Sequence, residues 1–322
     1  MKKAAKTILV INMGYIGDVI NASPVCYELK KNYPNSQLVF ITDPSSVVTA
    51  QHLSGVDHAI GFDRYNKHKG WKIFEFAFNL RKKYKFDLAI LLTENFRAAI
   101  LAFLLGAKVR IGRSNEGRDI LLTHKIPFSD EERELKVHVI EHYMRVLAPL
   151  GLYNSDYCLN FNYSQSDADY IESLLSDNDA KNHNLIGLCP ATGMSIKNWN
   201  VNEASMFIQH INKLNNYKVV LIGTKDCREF SEKLKEMGTT DFIDLSCKTT
   251  IPQLAALISK FKKFVSIDTG PMHLAFALKI STVCLFFQDN YKKWGPTATQ
   301  DVLLTYKQGN TGHLDVISHM NL

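Results

Sequence analysis

Short apolar runs rich in β-branched residues alternate along the chain with longer stretches of helical spacing. The first run covers residues 7–13 and leads into a helical pattern over 17–32. Apolar runs follow at 37–42, 58–62, 86–92 and 108–111, with helical spacing over 71–83 and 95–105. After Gly151 the alternation starts again. Strands are predicted at 185–189, 218–222, 242–245, 264–267 and 282–287, and helices at 203–214, 227–236, 251–260 and 272–278. Strands that alternate with helices in this way form parallel sheets covered by helices. The pattern therefore predicts an α/β protein of two Rossmann-like domains facing a central cleft, residues 1–160 and 161–322. The polar segment 167–184 holds one helix near the boundary. Ligands of such sheets bind at the carboxyl ends of the strands, so the expected site is the cleft.

Composition adds bounds. A chain of 322 residues favours two domains at roughly 150 residues each. Lys and Arg exceed Asp and Glu by 38 − 32 = 6. This modest excess suits an anionic substrate or an anionic membrane surface and gives no reason to expect nucleic acid. The six cysteines stand at 26, 158, 189, 227, 247 and 284. No CxxC pair occurs, so neither a zinc site nor a redox motif is indicated. Cys26, Cys189 and Cys284 lie in apolar runs and read as small core residues. The first apolar stretch is broken by Asn12 and reads as a strand, not a signal peptide. No run approaches the length of a membrane span. The expectation is a soluble cytoplasmic protein with, at most, peripheral contact at the inner membrane surface.

Candidate chemistry sits just after strands. The first strand runs into Gly14-Tyr15-Ile16-Gly17-Asp18, where two glycines permit a tight turn and close approach to the backbone. A dinucleotide fingerprint needs G-x-G-x-x-G and this is G-x-x-G, although Asp43 does end the second strand. Asp18 would also repel a pyrophosphate at the helix start. It reads either as a helix-start acid favoured by the dipole or as a general base kept ionised by that terminus. In the second half, one strand ends in Asp268-Thr269-Gly270-Pro271-Met272-His273. Thr269 can cap the helix, and Pro271 fits its first turn. Free N–H groups of Gly270, Met272 and His273, with the Thr269 hydroxyl, would cradle a diphosphate; an ordinary capped helix is the plainer reading. Another strand is followed by the hydroxyls of Thr192 and Ser195 and by Lys197. Lys197 is either a surface lysine or a cation that neutralises a departing diphosphate. Asp167-Ala168-Asp169 has a D-x-D pattern, but it follows Ser164 and opens a helix, so it reads as first-turn acid. No metal site is expected. After the strand at 58–62, Arg64, Lys67 and Lys69 with His68 place more charge in one loop than turn chemistry needs; the loop reads either as a solvated basic turn or as a site for an acidic group.

Together these residues resemble glycosyltransferase family 9, the heptosyltransferases of lipopolysaccharide core assembly. The strand-one turn appears as GYIGDVINASP, the lysine-tryptophan segment as SIKNW, and the Asp-Thr-Gly signature as DTGPMHLA preceded by LSCKTTIPQLAALI. The chain departs from the family pattern at Asn12, where a basic residue is usual, and at Asn200, where proline is usual. The resemblance implies a GT-B type fold with an N-terminal acceptor-binding domain and a C-terminal nucleotide-sugar-binding domain. It implies inverting, metal-independent transfer of heptose from ADP-heptose to an acidic, lipid-linked core glycan, with no cofactor. Asp18 would be the base, and Lys197 would assist the leaving group. Thr269, Gly270 and His273 would hold the diphosphate, with Thr192, Ser195, Asp268 and Met272 around the donor. Gly14 and Gly17 would shape the turn, and Arg64, Lys67 and Lys69 would meet the acceptor. The residues alone also allow the same chemistry with another sugar or a protein acceptor, a nicotinamide-dependent dehydrogenase, and a non-catalytic nucleotide-binding protein.

Overall fold

A computed structural model describes residues 5–115, 117–134, 136–178, 180, 183–214, 216–306 and 312–320. Positions 179, 181 and 182 of the predicted polar segment lie outside the described residues. The chain divides into two compact units, Met1–Phe161 and Asn162–Leu322.

The first unit contains β1 (Thr7–Ile11), α1 (Ile16–Asn21), α2 (Ser23–Asn32), β2 (Gln37–Thr42), α3 (Val47–Gln51), β3 (His58–Gly61) and α4 (Lys72–Lys83). It continues with β4 (Leu88–Leu91), α5 (Phe96–Leu104), β5 (Val109–Arg113), β6 (His124–Ile126), α6 (Asp130–Arg133) and α7 (Val139–Met144). Among the described residues its sheet has six strands, all parallel, in the order β3-β2-β1-β4-β5-β6. The central strands are covered on both faces, which is why they read as unbroken apolar runs. On one face Leu9, Ile11, Ala89 and Leu91 pack against Ala77 and Leu80 of α4 and Ala98 and Leu101 of α5.

The second unit repeats the plan. It contains α8 (Gln165–Ser176), β7 (Asn184–Cys189), α9 (Val201–Asn212), β8 (Tyr217–Leu221), α10 (Lys225–Glu236), β9 (Ile243–Asp244) and α11 (Ile251–Ile258). β10 (Phe261–Ile267), α12 (Gly270–Ala277), β11 (Thr282–Phe286), α13 (Tyr291–Trp294), β12 (Val302–Thr305) and α14 (His313–Ser318) complete it. Its parallel sheet runs β12-β11-β10-β7-β8-β9. Numbered within the unit, both sheets have the doubly wound order 3-2-1-4-5-6.

Two departures from expectation have plain causes. The helix predicted over 17–32 is two helices broken at Ala22, because Pro24 in the first turn of α2 has no N–H to continue the ladder. The edge strands β6 and β12 were not predicted. β6 is three residues, His124-Lys125-Ile126, and carries no apolar run, whereas β12, Val302–Thr305, carries one of only three residues at a half-buried edge. Among the described residues no helix is long and apolar enough to cross a membrane.

Candidate functional site

In each unit the switch point of the sheet, where connections leave a central pair of strands in opposite directions, opens a crevice at the carboxyl ends. In the first unit this lies between β1 and β4. The chain leaves β1 through Asn12 and Met13, and Asn95 beyond β4 lies with its Nδ2 3.8 Å from Met13 Sδ. Asp18 occupies the first turn of α1. Its Oδ2 accepts the Tyr15 N–H at 3.0 Å, and its Oδ1 accepts the Tyr143 hydroxyl at 3.3 Å. Asn12 donates its Nδ2 to the Asp18 carbonyl at 3.2 Å, which ties strand end to helix start. Gly14 is required by space: a Cβ there would stand 2.3 Å from Asp18 Cβ and 2.7 Å from its Oδ2. Gly17 is the second residue of α1.

Tyr143 belongs to a polar network that pattern reading missed. Burial, then the Asp18 carboxylate, pushes its phenol well above the ordinary value, so it stays a donor. The adjacent His142 has Nε2 3.0 Å from Glu94 and Nδ1 3.1 Å from Glu132. Glu132 pairs with Arg113, whose guanidinium also donates to the Pro127 and His142 carbonyls at 3.0 and 2.9 Å. Both members of that pair are buried. Burial pushes the Glu132 carboxyl up, but the Ser129 N–H, Arg113 and His142 outweigh it and hold it below its ordinary 4.5. Arg118, 1% exposed, donates to the Thr93 carbonyl at 2.8 Å beyond β4. One local signal existed: Ser129-x-x-Glu132 is a capping-box motif, and that box is formed.

In the second unit the switch point lies between β7 and β10. Lys197, beyond β7, donates its Nζ to Asp268 Oδ2, beyond β10, at 2.7 Å. Asn290, beyond β11, donates to the same oxygen at 3.2 Å. The loop from Ala191 is anchored by Trp199, which is 2% exposed, donates its backbone N–H to the Pro190 carbonyl and packs its ring on Phe207. The Thr192 N–H donates to Asn198 Oδ1 at 2.8 Å, and Ser195 is exposed at the start of a 3₁₀ turn ending at Lys197. Asn200 caps α9 by accepting the Asn202 and Glu203 N–H groups, which accounts for it locally.

The predicted cradle at α12 needs correction at two residues. The Thr269 hydroxyl does not cap the helix. It turns inward to the Ile267 carbonyl at 3.3 Å, near Ser266 Oγ and Cys189 Sγ. The Met272 N–H is not free, because it donates to the Thr269 carbonyl at 3.1 Å, and its side chain packs in the core with Cys284 and Phe286. Gly270 begins the helix. His273 is buried, edge-on to the rings of Phe276 and Trp294. Cys189 and Cys227, distant in sequence, meet with their sulfurs 4.0 Å apart.

After β3, Asp63 organises the basic loop by accepting the N–H groups of Tyr65, Asn66 and Lys67 at 2.9–3.2 Å. Lys67 and Lys69 are exposed, while the Arg64 carbonyl accepts from Arg97. His68 does not join their charge. It stacks on Phe62, accepts the Asp63 N–H, and is pushed below its ordinary value by burial and Lys67. Asp167 lies in a capping box with Ser164. Among the described residues no group of three or more His, Cys, Asp or Glu side chains is placed to hold a metal ion.

The model of a known family, glycosyltransferase family 9 (heptosyltransferase), matches residues 73–319. The lipopolysaccharide core heptosyltransferase OpsX of Haemophilus influenzae is 25% identical over 316 residues, 96% of this chain and 86% of that protein. Among solved structures, a family 9 glycosyl transferase from Veillonella parvula superposes with a TM-score of 0.87 at 22% identity, covering 99% of this chain and 97% of its own. The E. coli ADP-heptose lps heptosyltransferase II superposes with a TM-score of 0.82 at 19% identity, covering 98% and 97%.

The network gives a pH prediction. A carboxyl held below its ordinary value stabilises the fold above that value and loses the contribution as pH falls through the folded one. Acidification below about 4.5 should therefore destabilise the first unit through Glu132. Glu132→Gln leaves Arg113 buried without its counter-charge and should cost about 3–5 kcal/mol at neutral pH, with a shallower further loss in acid. Urea denaturation across pH measures both; equal stability of variant and parent at neutral pH would remove the network from the fold's support.

Proposed function

Because the chain belongs to glycosyltransferase family 9, we propose that it transfers heptose from ADP-heptose to an acidic sugar of a lipopolysaccharide or lipooligosaccharide core. Transfer inverts the anomeric carbon and uses no metal ion and no cofactor. The donor and acceptor classes are supported by what the OpsX and heptosyltransferase II proteins are named for. The observation that carries the reading is the Lys197–Asp268 pair at the switch point beside the start of α12.

Asp18 takes the proton of the acceptor hydroxyl. That oxygen bonds to the anomeric carbon from the face opposite the diphosphate, and the carbon–oxygen bond to the diphosphate breaks. The departing charge is met by Lys197 and by the start of α12 at Gly270. Asp268 and Asn290 hold the lysine head in place, so little reorganisation is needed as charge develops. Thr192, Ser195, Thr269 and His273 belong to the donor side of this reading. Arg64, Lys67 and Lys69 bind acidic groups of the acceptor. The proposed location is the cytoplasm, supported by six cysteines that are all unpaired by disulfides.

Three measurements test this. With a panel of nucleotide sugars, free nucleotide and product should appear with ADP-heptose, and Asp18→Asn should lower turnover at least about a hundredfold while donor affinity changes little. Near-parental turnover of that variant sinks the base assignment. Activity should persist in EDTA, since Lys197 and the helix start supply the positive potential; strict loss, restored by magnesium or manganese, reverses that claim. Arg64→Ala and Lys67→Ala should raise the acceptor KM and spare the donor KM, each by roughly 1–3 kcal/mol of acceptor use and less at high salt. An unchanged acceptor KM at low salt returns the loop to simple solvation.

A further inference from the structure

Helix α4 turns Ile73, Ala77 and Leu80 into the core. On its outer side Trp71, Phe74 and Phe78 follow at i, i+3 and i+7, one stripe of a helix, and stand 81%, 57% and 61% exposed. Helix α5 lies beside it, joined where the Arg81 guanidinium donates to the Leu104 carbonyl at 3.4 Å. It adds Phe96 and Phe103, 46% and 52% exposed. Cations sit on these rings: Lys82 Nζ is 4.4 Å from the centre of Phe78, and the Arg110 guanidinium is 5.4 Å from that of Phe103. Five large aromatic side chains gathered on two neighbouring helices exceed the scatter expected on a monomer surface.

The charge around them is one-sided. Residues 64–85 hold eight Lys and Arg (Arg64, Lys67, Lys69, Lys72, Arg81, Lys82, Lys83, Lys85) and one acid, Glu75, a net of 8 − 1 = +7. The whole chain is +6, so the rest nets 6 − 7 = −1. A cavity of about 600 Å³ beside the stripe is lined by Lys67, Lys72 and Lys83, with His68 and Glu75. Such a surface repels its own copy. Aromatic rings beside a dense cluster of lysines match a headgroup layer, where rings sit at the interface and cations meet phosphates.

We propose that the α4–α5 face of the first unit docks on an anionic phospholipid bilayer, with Trp71, Phe74 and Phe78 at headgroup depth and Lys72, Lys82 and Lys83 on lipid phosphates. The proposal does not depend on which sugar is transferred.

The test is co-sedimentation of the full chain with vesicles of phosphatidylcholine mixed with phosphatidylglycerol, against phosphatidylcholine alone. The protein should bind the mixed vesicles at least about tenfold more tightly, less so as salt rises. Phe74→Ser with Phe78→Ser, and Lys72→Glu with Lys82→Glu and Lys83→Glu, should each lose about tenfold or more. Circular dichroism and thermal midpoint should not change, because these side chains are exposed. Trp199 is buried and Trp294 half-buried, so a blue shift of tryptophan emission on the mixed vesicles should vanish in Trp71→Phe. Failure to bind the mixed vesicles, equal binding to both, or parental binding by folded variants overturns the proposal. So does parental self-association without lipid that Phe74→Ser with Phe78→Ser abolishes, which would make the face a contact between copies.

Discussion

In a parallel sheet every strand is entered from the same side, so every strand leaves at the same edge. That constraint organises both units. Ile11 of β1 is paired with Ile41 on one side and Leu91 on the other, and the turns that follow all open together. Asp18 after β1, the basic loop after β3, Glu94 after β4 and Arg113 at the end of β5 reach one edge for this reason alone. In the second unit Lys197, Asp268 and Asn290 follow β7, β10 and β11. The helices hold positions on this edge, and the backbone ladder creates it.

The same constraint explains what the amino-acid pattern revealed. Central strands are buried on both faces, so their apolar runs stand out, and residues just past each run could be named as candidates. Lys197 and Asp268 were legible one by one in this way. Their contact was not, because 71 positions separate them. The network of Arg113, Glu132 and His142 was hidden for another reason. Arg and Glu ordinarily mark surface, and nothing local shows that these two are buried as a pair. The inward turn of the Thr269 hydroxyl was equally hidden, since a threonine before a helix normally caps it.

Asn12 and Asn200 show how a departure from a family pattern can be accounted for by local bonding. Asn12 is buried and holds the helix carbonyl above it. Asn200 supplies a side-chain cap that a proline cannot supply, and so secures the start of α9 immediately after the buried Trp199. In both places an amide performs connective work within its own unit, next to the residues proposed for chemistry.

The Tyr143 bond to Asp18 spans 125 residues, and it orders events in time. A ribosome emits the first turn of α1 long before α7 exists. During that interval the strand-one turn can form its own local bonds, the Tyr15 N–H to the carboxylate among them. The phenol arrives only when nearly the whole first unit has been made. Domains generally fold as units during synthesis, and here the orientation of the acidic side chain is completed by one of the last helices of that unit. A nascent chain released before α7 would carry the complete glycine turn without the hydroxyl that steadies its acid.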